Sequence, residues 1–180
     1  REIAIDGFVL SEHRQFDGES DYAPLADEFG LVIMKASEVE TEYGHVLVYG
    51  VTPALTAEFD FGNIRLELAR VVEACEKHDA VAVPCHPGRP KVGMAAHIEH
   101  YGIPAGVSIV ETMNGGSRGR EDDVAKTMAA ELGYKGIGGS DAHIVSHIGR
   151  SATRFPADVR SEGELVEALR AGEFEAVAVS

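Results

Sequence analysis

Residues 107–143 read VSIVETMNGGSRGREDDVAKTMAAELGYKGIGGSDAH. The run Val107–Thr112, rich in β-branched side chains, has the length and composition of a strand. Between Glu121 and Leu132, Val124, Met128, Ala129 and Leu132 recur at helical spacing, and Gly133 stands where a helix C-cap belongs. A second short run, Gly136–Gly139, follows and leads into Ser140-Asp141-Ala142-His143. Strand, helix and strand in that order make a βαβ unit with parallel strands. The C-terminal ends of such strands share one rim, and sites are built there. Asp141 and His143, two apart after a strand end, should therefore direct both side chains into one cavity.

Working outward, the same alternation covers the chain. Further strands are expected at Gly7–Ser11, Leu31–Ala36, His45–Gly50, Ala80–Cys85, Ser151–Arg154 and Glu175–Val179, with an apolar approach from Ile3. A helix is expected from about Asn63 to His78, where Ile64, Leu68, Val71, Val72 and Cys75 fall on one face. A shorter one is expected over Met94–Tyr101. Ser161 with Glu164 forms a capping box ahead of Leu165, Ala168 and Leu169. With no repeat and no interdomain linker, residues 1–180 read as one α/β domain. The loop from Thr52 to Gly62 is the longest irregular stretch, and it and Asn114–Glu121 are expected to shape any pocket.

The formal net charge is −14, which opposes non-specific binding to nucleic acid yet allows a small phosphorylated substrate. No apolar run is long enough for a membrane span, and no export signal opens the chain. Cys75 and Cys85 are the only cysteines and form no CxxC, so neither a disulfide framework nor a thiolate zinc site is expected. A reducing cytoplasm is the default expectation.

Metal-ligating side chains gather at the strand ends. Gly7–Ser11 leads into His13; Leu31–Ala36 runs into Glu38; His45 opens its strand after a short turn back to the same rim; Ala80–Cys85 is followed by His86; Val107–Val110 leads into Glu111, with Asn114 beyond. One histidine at a strand end is ordinarily a hydrogen-bonded structural residue, but recurrence at one rim argues for a site. Imidazoles and carboxylates without thiolate suit zinc, manganese or iron. Several ligands from separate strands imply two or three divalent ions, an arrangement suited to phosphoester hydrolysis. Arg14, Arg89 and Arg150 follow rim residues and are candidate phosphate contacts, as is Lys91. Gly115–Gly119 weakly resembles an anion-binding loop. His97 and His100 read as a solvated helix face, His78 as a cation at a helix C-terminus, and His147 as a structural residue, with substrate contact at the rim the alternative.

In this order these motifs resemble the PHP (polymerase and histidinol phosphatase) superfamily. Ser11-Glu12-His13, Glu38 with Gly44-His45, Cys85-His86-Pro87, Glu111 with Asn114-Gly115, Ser140-Asp141-Ala142-His143 and Ile148-Gly149-Arg150 with Thr153 carry the resemblance, which runs from about Gly7 to Phe155. It implies a distorted (β/α)7 barrel, with His13, Glu38, His45, His86, Asp141 and His143 as metal ligands and Glu38 bridging two ions. Asp141, His143 and Glu38 would be catalytic, and phosphate mono- or diesters would be hydrolysed through a metal-activated water. The family's first strand carries His-X-His, which this sequence lacks. The expectation is that the first βα unit precedes Arg1, the alternatives being a partner subunit's strand or a degenerate domain. Two other functions stay open: a metal-dependent amide-type hydrolase, and a non-catalytic PHP module in a larger assembly.

Overall fold

The computed structural model describes residues 4–179; Arg1–Ile3, where the expected strand approach begins, and Ser180 lie outside the described residues. The strands are β1 (Gly7–His13), β2 (Val32–Thr41), β3 (Gly44–Tyr49), β4 (Val81–Pro84), β5 (Ile109–Asn114), β6 (Lys135–Gly139), β7 (Ser151–Arg154) and β8 (Glu175–Ala178). The helices are α1 (Ala23–Phe29), α2 (Pro53–Thr56), α3 (Leu68–Lys77), α4 (Ile98–Tyr101), α5 (Glu121–Leu132) and α6 (Glu162–Ala171). Each expected strand forms, and α5 has the bounds read from its periodicity. The short helices α1 and α2 were not anticipated.

The described strands do not form a closed barrel. Among the described residues they make a four-stranded sheet, β1-β2-β3-β4, and two pairs, β5-β6 and β7-β8. Only β1–β2 and β5–β6 are parallel. Glu42 and Tyr43 alone separate β2 from β3, and so short a connection can join strands only as an antiparallel hairpin. Elsewhere side chains span the seams between sheets. Thr153 Oγ1 on β7 accepts from the Gly138 amide at 3.0 Å and donates to the Gly138 carbonyl at 2.9 Å.

Strand alternation sorts the four-stranded sheet into two faces. Val39, Val46 and Val48 pack with Leu68, Val71, Val72 and Cys75 of α3. Met34, Leu47, Val83 and Cys85 take the other face, with Ile109, Ile137 and the α6 residues Leu165 and Leu169. Glu38 and His45 share the parity of Met34 and Leu47, so they lie on the face turned toward β5 and β6.

Helix α3 is shorter than its periodicity implied. Asn63 Oδ1 accepts from the Arg65 amide at 2.9 Å, a turn that competes with helix. Leu66 then bridges Thr41 at the end of β2. Glu42 Oε2 accepts from the Leu68 amide at 2.8 Å, so the helix starts there, and Ile64 is exposed. In α5, Ala125, Met128 and Ala129 are the buried residues, while Val124 faces out. Met94–Tyr101 divides into a 3-10 turn, Met94–Ala96, and the single turn α4. Ser161 caps α6 as expected, its Oγ accepting from the Glu164 amide at 3.2 Å. No helix is long and apolar enough to cross a membrane among the described residues.

Candidate metal centre

The parallel register of β1 and β2 sets His13 directly beside Glu38. The β2–β3 hairpin brings His45 back along the same face, and β4 delivers His86 just past its end. Gly44 makes the hairpin possible. Its φ is +98°, and a Cβ there would lie 2.0 Å from the Val92 carbonyl oxygen, the group that accepts from the His45 amide at 3.0 Å.

Glu38 is the hub. Its Oε1 lies 2.6 Å from His45 Nδ1 and 3.4 Å from His86 Nε2, and its Oε2 lies 3.5 Å from His13 Nε2. Burial alone would raise its carboxyl pKa, but His45, His86 and His13 outweigh that and hold it well below the usual carboxylate range. Ligand-competent atoms of His13, Glu38 and His45 all lie within 4.8 Å of one another, and so do those of Glu38, Cys85 and His86. Glu38 belongs to both groups.

The donor set fits a metal. His45 Nδ1 is buried and makes no hydrogen bond although Glu38 Oε1 is only 2.6 Å away, and His86 Nδ1 is also buried and unpaired. Buried ring nitrogens ordinarily find partners. A buried ring nitrogen this close to a carboxylate oxygen without an aligned hydrogen bond is a geometry that a shared divalent cation would satisfy.

Cys85 was not anticipated in this site. Its Sγ lies 3.4 Å from His86 Nε2, and burial pushes its thiol pKa far up, with the carboxylates of Glu38, Glu111 and Asp141 adding to the rise. A neutral thiol is a poor ligand. The inward parity of Val83 and Cys85 was the available signal.

Asp141 and His143 sit at the mouth, outside both tight groups. Asp141 Oδ2 accepts from Arg89 Nη2 at 2.8 Å. His143 Nδ1 lies 3.1 Å from the Asp141 carbonyl oxygen, and its ring stands 6.2 Å from that of His13. Three non-glycine residues with positive φ are at this rim: Arg14, His86 at 32° and Asp141 at 49°. Such backbone is uncommon and concentrates at functional sites.

The other candidates separate clearly. Arg89 is half-buried and ties Asp141 to Asn114. Arg14 Nε lies 3.7 Å from Glu40 Oε1, and Arg150 is exposed. In the 115–119 loop the Gly116 amide donates to Asn114 Oδ1 and the Arg118 amide to Glu121 Oε2, which removes two donors from any anion nest. His97 is half-buried, with Nε2 2.7 Å from the Lys91 carbonyl oxygen, rather than fully solvated. His100 is exposed against Tyr101. His78 pairs with Glu58 at 2.7 Å. The 52–62 loop lines a cleft of about 390 Å³ with Phe16, Phe59 and Phe61; Phe61 packs on the Val39 face, away from Glu38.

Glu111 is fully buried beneath the rim. Its carboxyl pKa is pushed up to about 8 by burial, against hydrogen bonds from Asn114 and the His86 amide and with help from Asp141 and Glu38.

A family model described as PHP-associated matches residues 119–174. No curated protein matches the chain. Among solved structures, PsfC from Pseudomonas syringae PB-5123 superposes with a TM-score of 0.70 at 18% identity, over 97% of this chain and 78% of that one. The lesion-specific endonuclease PfuEndoQ from Pyrococcus furiosus gives 0.59 at 20% identity, over 82% of this chain and 41% of that one. A two-domain protein containing predicted PHP-like metal-dependent phosphoesterase, from Bacteroides vulgatus ATCC 8482, gives 0.59 at 19% identity, over 97% of this chain and 56% of that one. At these identities the likeness is one of fold.

Proposed function

We propose that this chain is a PHP superfamily protein and a metal-dependent phosphoesterase acting on phosphate mono- or diesters, a reading supported by the PHP-associated match over residues 119–174 and by the likeness of fold. The observation that carries the reading is Glu38, a buried carboxylate shared by two ligand-competent groups and facing a buried, unpaired His45 Nδ1. His13, Glu38, His45 and His86 would hold the metal, with Asp141 and His143 completing the set from the mouth. Divalent ions held there supply charge neutralisation for a phosphate and lower the pKa of a nearby water. The protein's own part is to keep Glu38 ionised, to present imidazole nitrogens around it, and to hold Asp141 in place through Arg89. Arg14, Lys91 and Arg150, less committed than Arg89, are side chains left to meet substrate phosphate.

The substrate is taken to be small, since a net charge of −14 opposes the backbone of a long polyanion. The endonuclease fold neighbours, one of them solved with a duplex carrying an abasic lesion, favour a DNA phosphodiester as the second reading. The test is metal-free protein reloaded separately with Mn²⁺, Zn²⁺ or Fe²⁺ and offered p-nitrophenyl phosphate, bis-p-nitrophenyl phosphate and an abasic-site duplex. Metal-dependent turnover of a small ester supports the proposal. Cleavage of the duplex alone shifts it to the second reading, and metal uptake without turnover of any substrate overturns the catalytic assignment.

A further inference from the structure

Glu111 is absent from both ligand-competent groups, yet its contacts reach the loops that carry His86 and Asp141. Its Oε2 accepts from the His86 amide at 2.7 Å and from Asn114 Nδ2 at 2.8 Å. Asn114 Oδ1 in turn accepts from Arg89 Nη2 at 3.2 Å, and the same Nη2 donates to Asp141 Oδ2 at 2.8 Å. Gly139 gives Glu111 its room, because a Cβ there would lie 2.4 Å from Glu111 Oε1. One oxygen of the Glu111 carboxyl on β5 thus ties the end of β4, in the four-stranded sheet, to Asp141, two residues past β6, across sheets that share no strand ladder.

Both tethered residues have positive φ, a backbone state that side chains other than glycine hold only when their surroundings determine it. For His86 the tether acts on its own amide, which fixes where its imidazole stands relative to Glu38. For Asp141 it acts through the guanidinium.

We infer that Glu111 is a positioning residue for the metal centre, orienting His86 directly and Asp141 through Asn114 and Arg89. The inference rests on the metal-centre reading proposed above. It differs from a packing role in what it predicts. A packing residue affects melting alone, whereas a residue that aims ligands also changes metal affinity in protein that is still folded. Outer partners of metal ligands typically contribute roughly 10- to 100-fold in affinity.

The experiment is a Co²⁺ titration of metal-free protein, followed by visible absorption, on the full chain and on Glu111→Gln, Glu111→Ala and Asn114→Leu, each with a melting curve. Glutamine can leave a carbonyl oxygen where Oε2 stands, so Glu111→Gln should bind Co²⁺ nearly as tightly as the parent and give the same absorption band. Glu111→Ala should bind roughly 10- to 100-fold more weakly, with an altered band. Asn114→Leu cuts the branch to Arg89 while leaving the His86 tether, and should fall between the two. It decides the matter if Glu111→Ala does not fold. Parent-like affinity and spectrum in folded Glu111→Ala, or in Asn114→Leu where the alanine variant does not fold, would overturn the positioning role alone. A parent chain that takes up no Co²⁺ would overturn the metal centre and this role with it.

Discussion

The two halves of the site are built in opposite ways. On the four-stranded sheet, Glu38 and His86 are buried and His45 nearly so, and all three are fixed by strand register, a hairpin and the Glu111 tether. At the mouth, His143 is 71% exposed and Asp141 is held by a single guanidinium. The buried half has its donors in place before any ion arrives, which lowers the cost of assembling a site. The mouth is open at His143, as a surface that must admit substrate has to be, while the Asp141 side chain is as buried as that of His45. The difference suggests a division of labour: the sheet holds metal, and the mouth tunes the chemistry done with it.

The largest effect should come from breaking the hub. Glu38→Gln keeps the shape of the side chain but removes the charge shared by three imidazoles, so the variant should lose bound metal and at least about 10³-fold in turnover while still folding. Elemental analysis beside a phosphoester assay checks this, and retained metal would remove Glu38 from the centre. Asp141→Asn and His143→Ala should each also cost on the order of 10³-fold in turnover, but with part of the metal kept on the sheet half. Complete metal loss in His143→Ala would erase the proposed division. A third contrast is chemical. Diethyl pyrocarbonate should modify His143 and the 44%-exposed His13 quickly and the buried His86 slowly, with added Mn²⁺ protecting His13; peptide mass spectrometry reads the sites. The smallest effect is expected for the half-buried His97 and the exposed His100, which lie outside both halves; His97→Ala and His100→Ala should each change turnover by no more than about 2-fold.

Strand positions, and the strand ends that carry the candidate ligands, were legible because alternation and 3.6-residue periodicity are local signals. Asp141 and His143 after Gly136–Gly139, and Glu38 seven positions before His45, could be placed on one rim from spacing alone. What was not legible depends on partners distant in sequence. Periodicity ran α3 back to Asn63, but Leu66 is drawn to Thr41 at a sheet edge and Glu42 caps the helix at Leu68. The resemblance implied a distorted (β/α)7 barrel, while the α/β alternation itself carries no information on which strands bond, and the hairpins and side-chain seams divide the sheet. The contacts of Arg89 and Glu111 were hidden for the same reason, because the Asp141 carboxylate and the His86 amide that they meet lie far away in sequence.

The most direct test of the account is the position of the metal itself. Crystals grown with Mn²⁺ and measured at an anomalous wavelength would locate each ion relative to the side chains. The account predicts a peak at ligand distance, roughly 2.0–2.2 Å, from a Glu38 carboxylate oxygen and from a His45 nitrogen, with His86 or His13 among the remaining ligands. An anomalous map with no peak against Glu38, or with manganese bound only elsewhere on the surface, would contradict it.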